Sequence, residues 1–396
     1  MDEVNKIQYS KIGVLSFAHM LNDFYSNFLP QMLPFLIIAS TSISATRAAI
    51  LVSSFTVSSS LIQPVFGMLL DRQGKRWLVH VGTLWMAVML SLTGIVQSYA
   101  LLVILAILAG LGTAAFHPQA STMVNTLSGD HKGVLLSAFV AFGNFGYALS
   151  PLLLVPLFQK YGLHSTLITI IPGVLAAVLL LLFAPKDNAL KGTNTPLPEV
   201  MKSLKSASGE LGVLVGVIAI RSLAYTAMLT MLPLYFKSQN VSNIAASQLV
   251  TIMLASGAVG GVIGGFISDY FGRKLLIIGS LVISTPLFLA FFFTHGVIST
   301  VFLALAGAAL LSSFSVTIVA AQEAIPKNKA LAAGLSMGFA GGIGGLAAIF
   351  IGKAADIWGL PSAITTIFLL PLLAGLLGLF MKNRPAEHAG RISAQQ

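Results

Sequence analysis

Gly67-Met68-Leu69-Leu70-Asp71-Arg72-Gln73-Gly74-Lys75-Arg76 is echoed by Gly265-Phe266-Ile267-Ser268-Asp269-Tyr270-Phe271-Gly272-Arg273-Lys274. Each copy has Gly, Asp four residues on, Gly three after that, then two basic residues. The copies start 198 residues apart, half of the 396-residue chain. A repeat of that period fixes architecture before any local reading. Around both copies the chain is a string of apolar stretches long enough to cross a bilayer. Duplicated membrane halves are the layout of secondary transporters.

Composition agrees. Charged residues are 9% of the chain and hydrophobic ones 56%, against roughly 25% charged in an ordinary soluble domain. Mean hydropathy is +0.90. Such a chain cannot cover itself with a wettable surface, so most of it faces lipid or other membrane helices. The 37 glycines suit close helix approach in a bundle. A net charge of +10 would suggest a nucleic-acid partner in a soluble protein. Here the basic residues sit in short loops between apolar spans, and no nucleic acid is expected. Cysteine is absent, which removes disulfides, thiolate nucleophiles and Cys-based metal sites. The polar stretch 1–10 is too short for a cleaved signal, so the first span is expected to be retained.

A hydrocarbon core of about 30 Å needs about 20 residues of helix. Twelve spans are read: 10–38, 45–70, 76–97, 100–126, 131–159, 163–184, 210–237, 245–270, 274–294, 298–321, 328–355 and 361–382. The expected fold is all-α and integral to the membrane, with two pseudo-symmetric six-helix bundles, 1–185 and 209–396. Between them, 186–208 reads as a cytoplasmic linker, with a short surface helix over 199–208. Lys and Arg in short loops set orientation. With both termini inside, 17 of the 22 fall on the inner face and four on the outer: Arg47, Lys160, Lys237 and Lys353. Both termini are therefore expected in the cytoplasm.

The repeated loop joins the second span of each half to the third. Gly74 and Gly272 suit a tight reversal. Gly67 and Gly265 lie on the helix above, where a missing side chain admits a neighbour. Asp71 and Asp269, at the membrane edge, can pair with Arg76 or Arg273, or cap a helix N-terminus. Such contacts can hold two helices together in one state and release them in another, so these residues form a candidate conformational gate. The plainer alternative is a charged turn on the wet face. Gln322-Glu323, at the inner end of the tenth span, reads as a further gate partner.

Charges at mid-membrane are few, and each costs on the order of 2.5–3.5 kcal/mol on insertion scales. In the first span His19, Asn22, Asp23 and Ser26 share one helical face. A carboxyl group withdrawn from water favours its neutral form, which makes Asp23 a candidate proton carrier and His19 and Asn22 candidate substrate ligands. The plainer reading is a polar seam between helices. Arg221 lies 198 residues after Asp23, at the equivalent place in the other half, with Tyr225 one turn on. The repeat sets the two at similar depth facing a shared cavity, where Asp23 would be the partner of Arg221 when no anion is bound. Arg stays charged and can fork onto a carboxylate, phosphonate or phosphate; a purely structural pair is the alternative. In the fourth span Pro118 breaks the helical bonding beside His117, whose side chain titrates near physiological pH. In the fifth, Asn144 is a candidate cavity amide within Gly143-Asn144-Phe145-Gly146. The glycines there and at Gly338, Gly341, Gly342, Gly344 and Gly345 of the eleventh span read as close-packing or flexing segments.

The repeated Gly-x-x-x-Asp-x-x-Gly-basic-basic loop, after the second and eighth spans, resembles the signature of the major facilitator superfamily. Ser16-x-x-His19-x-x-Asn22-Asp23, Phe116-His117-Pro118, Gly143-Asn144-Phe145-Gly146 with Ser150-Pro151-Leu152, and Ala321-Gln322-Glu323 are similar to its fosmidomycin-resistance branch. That resemblance implies proton-coupled efflux, by antiport, of a small anionic or amphiphilic antibiotic such as a phosphonate, from a bacterial inner membrane. It also implies two bundles rocking about a central cavity. The departure is Gln119, where the branch has Glu, which leaves proton coupling to Asp23 and His117. Proton-driven uptake of an organic anion, or a non-transporting sensor on the same fold, are the other readings. The expected partners are a small molecule, protons and lipid, and the expected working unit is a monomer.

No nucleotide-cradling Gly-x-x-x-x-Gly-Lys-Ser/Thr loop occurs, no Gly-x-Ser-x-Gly elbow and no His-Glu-x-x-His pair. The seven His residues lie far apart along the chain. Neither an enzyme nor a cofactor nor a metal site is expected.

Overall fold

Why the chain forms helices follows from its apolar runs: in lipid every backbone polar group must be satisfied within its own segment, and the helix does this. The computed structural model describes residues 7–39, 44–63, 66, 77–128, 132–184, 197–325, 331–332 and 334–383. Among these, ten helices are long and apolar enough to span a membrane, from Trp77–Ile95 to Leu360–Gly378. Two further helical stretches precede them among the described residues. The first runs Tyr9–Ser26, breaks at Asn27 and resumes as Phe28–Ala39; the second is described as Ala45–Leu61.

The break has a cause. The Asn27 side chain donates to the Tyr147 carbonyl at 3.0 Å and accepts from Gln31 Nε2 at 3.3 Å. The Tyr25 hydroxyl donates to the Thr169 carbonyl. These bonds tie the first span to the fifth and sixth.

The molecule divides into two compact units. One holds residues 1–43, 50–194 and 242–247, the other 44–49, 195–241 and 248–396. The exchanged segments 44–49 and 242–247 are themselves 198 residues apart. Within the second unit, both carboxylate oxygens of Asp356 accept backbone N–H groups at the start of the helix Ala45–Leu61, Ala45 at 2.8 Å and Thr46 at 2.9 Å. A carboxylate at a helix N-terminus meets its unpaired donors and positive dipole end.

The two units repeat their packing. In the first, a Cβ on Gly146 of the fifth span would run into the Met20 carbonyl of the first. In the second, a Cβ on Gly344 of the eleventh span would lie 2.6 Å from Leu223 N and 2.7 Å from Ala219 O of the seventh. Gly146 and Gly344 are 198 residues apart. Backbone meets backbone at both places because neither residue has a side chain. The eleventh span also contains a π-helical turn, Gly334–Phe339, before Ala340–Trp358; single π turns interrupt helices mostly at functional places.

Between the sixth and seventh spans a short helix covers Leu197–Ser206, close to the surface helix expected over 199–208. The seventh follows almost at once, at Ser208–Ser238.

Candidate functional site

In the first unit, one helical face of the first span and the fourth span, a continuous helix Tyr99–Leu127 with Pro118 inside it, bring three titratable groups together. His19 Nε2 is 3.5 Å from Asp23 Oδ2, and His117 Nε2 is 3.4 Å from Asp23 Oδ1. The imidazoles meet edge to face, centroids 5.1 Å apart. Helical spacing sets the first contact, since residues four apart share a face. The second joins residues 94 apart in sequence and depends on packing alone. His19 Nδ1 lies 2.7 Å from the Phe139 carbonyl, and the Phe139 ring stacks on the imidazole at 4.0 Å. Gly143 closes the group from the fifth span: a Cβ there would meet the Asp23 carboxylate and sit 2.5 Å from His19 Cε1.

The donors of His19, Asp23 and His117 all lie within 4.8 Å of one another. The expectation of no metal set rested on their separation along the chain, which the fold removes. Asn22 is fully buried, and neither of its amide atoms has a hydrogen-bond partner. Gln119, 3% exposed, is in the same condition. Asn144, by contrast, is exposed.

In the second unit, Arg221 is buried, 3% exposed. Its Nη1 donates to Thr317 Oγ1 at 3.1 Å and Ser313 Oγ at 3.4 Å. Its guanidinium carbon stands 4.7 Å over the centre of the Phe314 ring. Both hydroxyls also donate to backbone carbonyls of their own helix, Leu310 and Phe314, so their lone pairs are what Arg221 meets. Among the described residues of this unit no carboxylate pairs with Arg221. A guanidinium has five N–H donors in a planar fork; here hydroxyls and a ring face receive part of it, leaving capacity for an oxyanion. Tyr225, one turn on, is partly buried. Ser313, Phe314 and Thr317 escaped the sequence reading. Their spacing of one and four residues on an apolar helix looks like ordinary packing, and only Arg221 reaching across from the seventh span gives them a role.

At the end of the eighth span, Gly272 takes φ +90°, the left-handed region that glycine enters at no steric cost. The tight reversal expected there is present. Arg273 then pairs with Asp269, donates to Ser268 Oγ at 2.6 Å and reaches Glu323 Oε1 at 3.3 Å. Asp269, Arg273 and Glu323 are thus one network, with Ser268 as an unforeseen member. Lys274 Nζ donates to the carbonyls of Leu379 and Met381, each at 2.7 Å, satisfying groups that a helix end leaves free. One detail is corrected. Gly265 does not admit a neighbouring helix, since a Cβ there would meet nothing within 4 Å. Gly264 does so instead: its Cβ would lie 2.5 Å from the Ser312 carbonyl of the tenth span. One residue is about 100° of helix, enough to turn from neighbour to open space. Gly67, Asp71, Gly74 and Arg76 lie outside the described residues.

Two compact helical units of this kind, with ionisable groups inside apolar helices, fit a multi-pass membrane transporter. The chain matches the family model of the Major Facilitator Superfamily over residues 15–347 and again over 214–395, and it belongs to that family. It is 31% identical over 385 residues to an uncharacterized MFS-type transporter of Bacillus subtilis, YfnC, covering 95% of this chain and 93% of that one. It is 30% identical over 387 residues to the fosmidomycin resistance protein of Escherichia coli, covering 96% and 94%. It is 30% identical over 250 residues to the multidrug resistance protein MdtG of Salmonella paratyphi A, covering 60% of each. The fold is similar to that of the nucleoside transporter NupG, with TM-score 0.78, 12% identity and coverage of 94% and 99%. A bacterial homolog of the lysosomal transporter Spinster gives TM-score 0.75, 16% identity and coverage of 93% and 96%.

Proposed function

We propose that this transporter exports a small anionic or amphiphilic compound, a phosphonate antibiotic being the leading candidate, in exchange for protons across a bacterial inner membrane. It works as a monomer with both termini in the cytoplasm. The observation that carries the reading is Asp23 held between two imidazoles inside an apolar helix bundle. A carboxylate flanked by two imidazoles has a neighbour on either side with which to exchange a proton. Arg221, buried among hydroxyls, is the group for the anionic end of the substrate. The Asp269–Arg273–Glu323 network is the inner gate of its half. The likeness to proteins named for drug resistance favours export over uptake.

Exchange follows if a proton on Asp23 and an anion on Arg221 are not carried in the same direction together. The test is transport in proteoliposomes holding the purified full chain, with an imposed pH gradient and a labelled phosphonate. Phosphonate movement opposite to the proton gradient, abolished by a protonophore, is the expected result. Movement in the same direction as protons would replace export with uptake. No phosphonate movement under any gradient would remove the substrate class.

A further inference from the structure

We infer that His19, Asp23 and His117 form a binding site for a divalent first-row transition cation of the zinc kind. The inference rests on the reading of this cluster as a cation-handling group and adds a second, larger cation to it.

The first support is the orientation of His19. A carbonyl oxygen can only accept, so His19 Nδ1, 2.7 Å from the Phe139 carbonyl, must carry the hydrogen. In the neutral ring Nε2 then holds a lone pair, and that lone pair faces a carboxylate oxygen at 3.5 Å. Two acceptors face each other there, and a cation between them resolves the conflict. A histidine whose other nitrogen donates to a backbone carbonyl is also the usual arrangement behind a metal ligand, because that bond fixes both tautomer and ring direction.

The second support is size. The two Nε2–carboxylate separations are 3.5 and 3.4 Å, longer than the roughly 2.7–2.9 Å of a charge-assisted hydrogen bond. Around a metal with ligands at about 2.1 Å, two tetrahedral ligands stand about 3.4 Å apart. The cluster is spaced for an ion larger than a proton.

The third support is an orphaned amide. Asn22, beside Asp23 and three residues from His19 on the same helical face, is buried with no partner for either amide atom. A buried amide left unpaired is costly. Three protein donors leave a zinc-type ion an open fourth position, commonly filled by water, and a metal-bound water gives such an amide something to bond. Two imidazoles and one carboxylate suit zinc, cobalt or nickel rather than magnesium or calcium, which prefer all-oxygen shells.

The test uses the full chain without an affinity tag, purified in detergent and titrated with Co²⁺ in place of Zn²⁺. One equivalent should bind with the visible absorption of a low-symmetry four-coordinate cobalt. Zn²⁺ should displace it, and excess Mg²⁺ should not. His19→Gln and His117→Ala should each weaken binding at least about 100-fold. The native chain has no cysteine, so His117→Cys gives a specific readout: it should retain cobalt and add a thiolate-to-metal charge-transfer band. X-ray absorption on the zinc-loaded native protein provides a check that needs no variant, with two imidazoles expected in the coordination shell. Absence of saturable one-to-one binding, a shell without imidazole, or binding unchanged in both His19→Gln and His117→Ala would overturn the proposal. Metal binding is read without transport. A protein that moves phosphonate against protons but binds no metal loses only this inference, and one that binds metal but ignores the pH gradient loses only the proton coupling.

Discussion

His117 Nε2 stands 3.4 Å from Asp23 Oδ1, across two helices and 94 residues of chain. The contact converts an isolated buried carboxylate into the centre of a three-group cluster with His19. Asp23→Asn keeps the shape and removes the carboxylate. It should reach the membrane in normal amount and lose accumulation driven by a pH gradient, while exchange of substrate for substrate across the bilayer continues. Proton-driven accumulation at the native level in that variant would place the coupling group elsewhere.

Arg221 meets Thr317 and Ser313 through a single nitrogen, and the rest of its fork is the anion-binding surface of the proposed transport cycle. Hydrogen bonds to charged groups contribute about 1.5–3 kcal/mol each. Arg221→Lys, which cannot fork, should raise the phosphonate Kd by roughly 10-fold or more, and Arg221→Ala should take it beyond measurement. Thr317→Val keeps the volume and removes one orienting hydroxyl, so it should fall between native and Arg221→Lys. Equal affinities across this series, measured by calorimetry, would make Arg221 a structural residue.

Gly146 and Gly344 each press against the backbone of the first helix of their half. Overpacking of this sort destabilises by about 1–3 kcal/mol. Gly146→Ala and Gly344→Ala should both lower the thermal unfolding midpoint in detergent by several degrees. Gly212 sits in the helix Ser208–Ser238 with nothing within 4 Å of a would-be Cβ. Gly212→Ala should be neutral or slightly stabilising, since alanine is the better helix former by up to about 1 kcal/mol.

The Arg273 pairs with Asp269 and Glu323 are half-exposed on the acid side, with side-chain exposures of 50% and 32%. Exposed ion pairs contribute only about 0–1 kcal/mol to stability. Arg273→Gln should therefore leave the unfolding midpoint nearly unchanged. If the network holds one conformation closed, the same variant should shift the conformational equilibrium and lower the transport rate several-fold. Spin labels placed on the inner ends of the eighth and tenth spans would record the shift as a changed distance distribution. A large fall in midpoint with unaltered distances would make the network a structural brace.

The membrane class, the repeat and nearly every span are legible in the order of residues alone. These depend on apolar length and on spacing along one chain, and lipid enforces both locally: a segment either satisfies its own backbone or does not cross. The equivalence of Asp23 and Arg221, the reversal at Gly272 and the shared face of His19 and Asp23 came from the same local rules. Tertiary structure decided what lies between helices. His117 reaches Asp23, Arg221 finds Ser313 and Thr317, and Glu323 joins Asp269 through Arg273, all by helix packing that no periodicity encodes. Gly264 rather than Gly265 takes the neighbouring helix, because a rotation of one residue is invisible in a motif but decisive against a packed surface. The break at Asn27 belongs to the same class. Its amide is spent on Tyr147 and Gln31, partners 120 and four residues away, and only the folded bundle brings the first of them within reach.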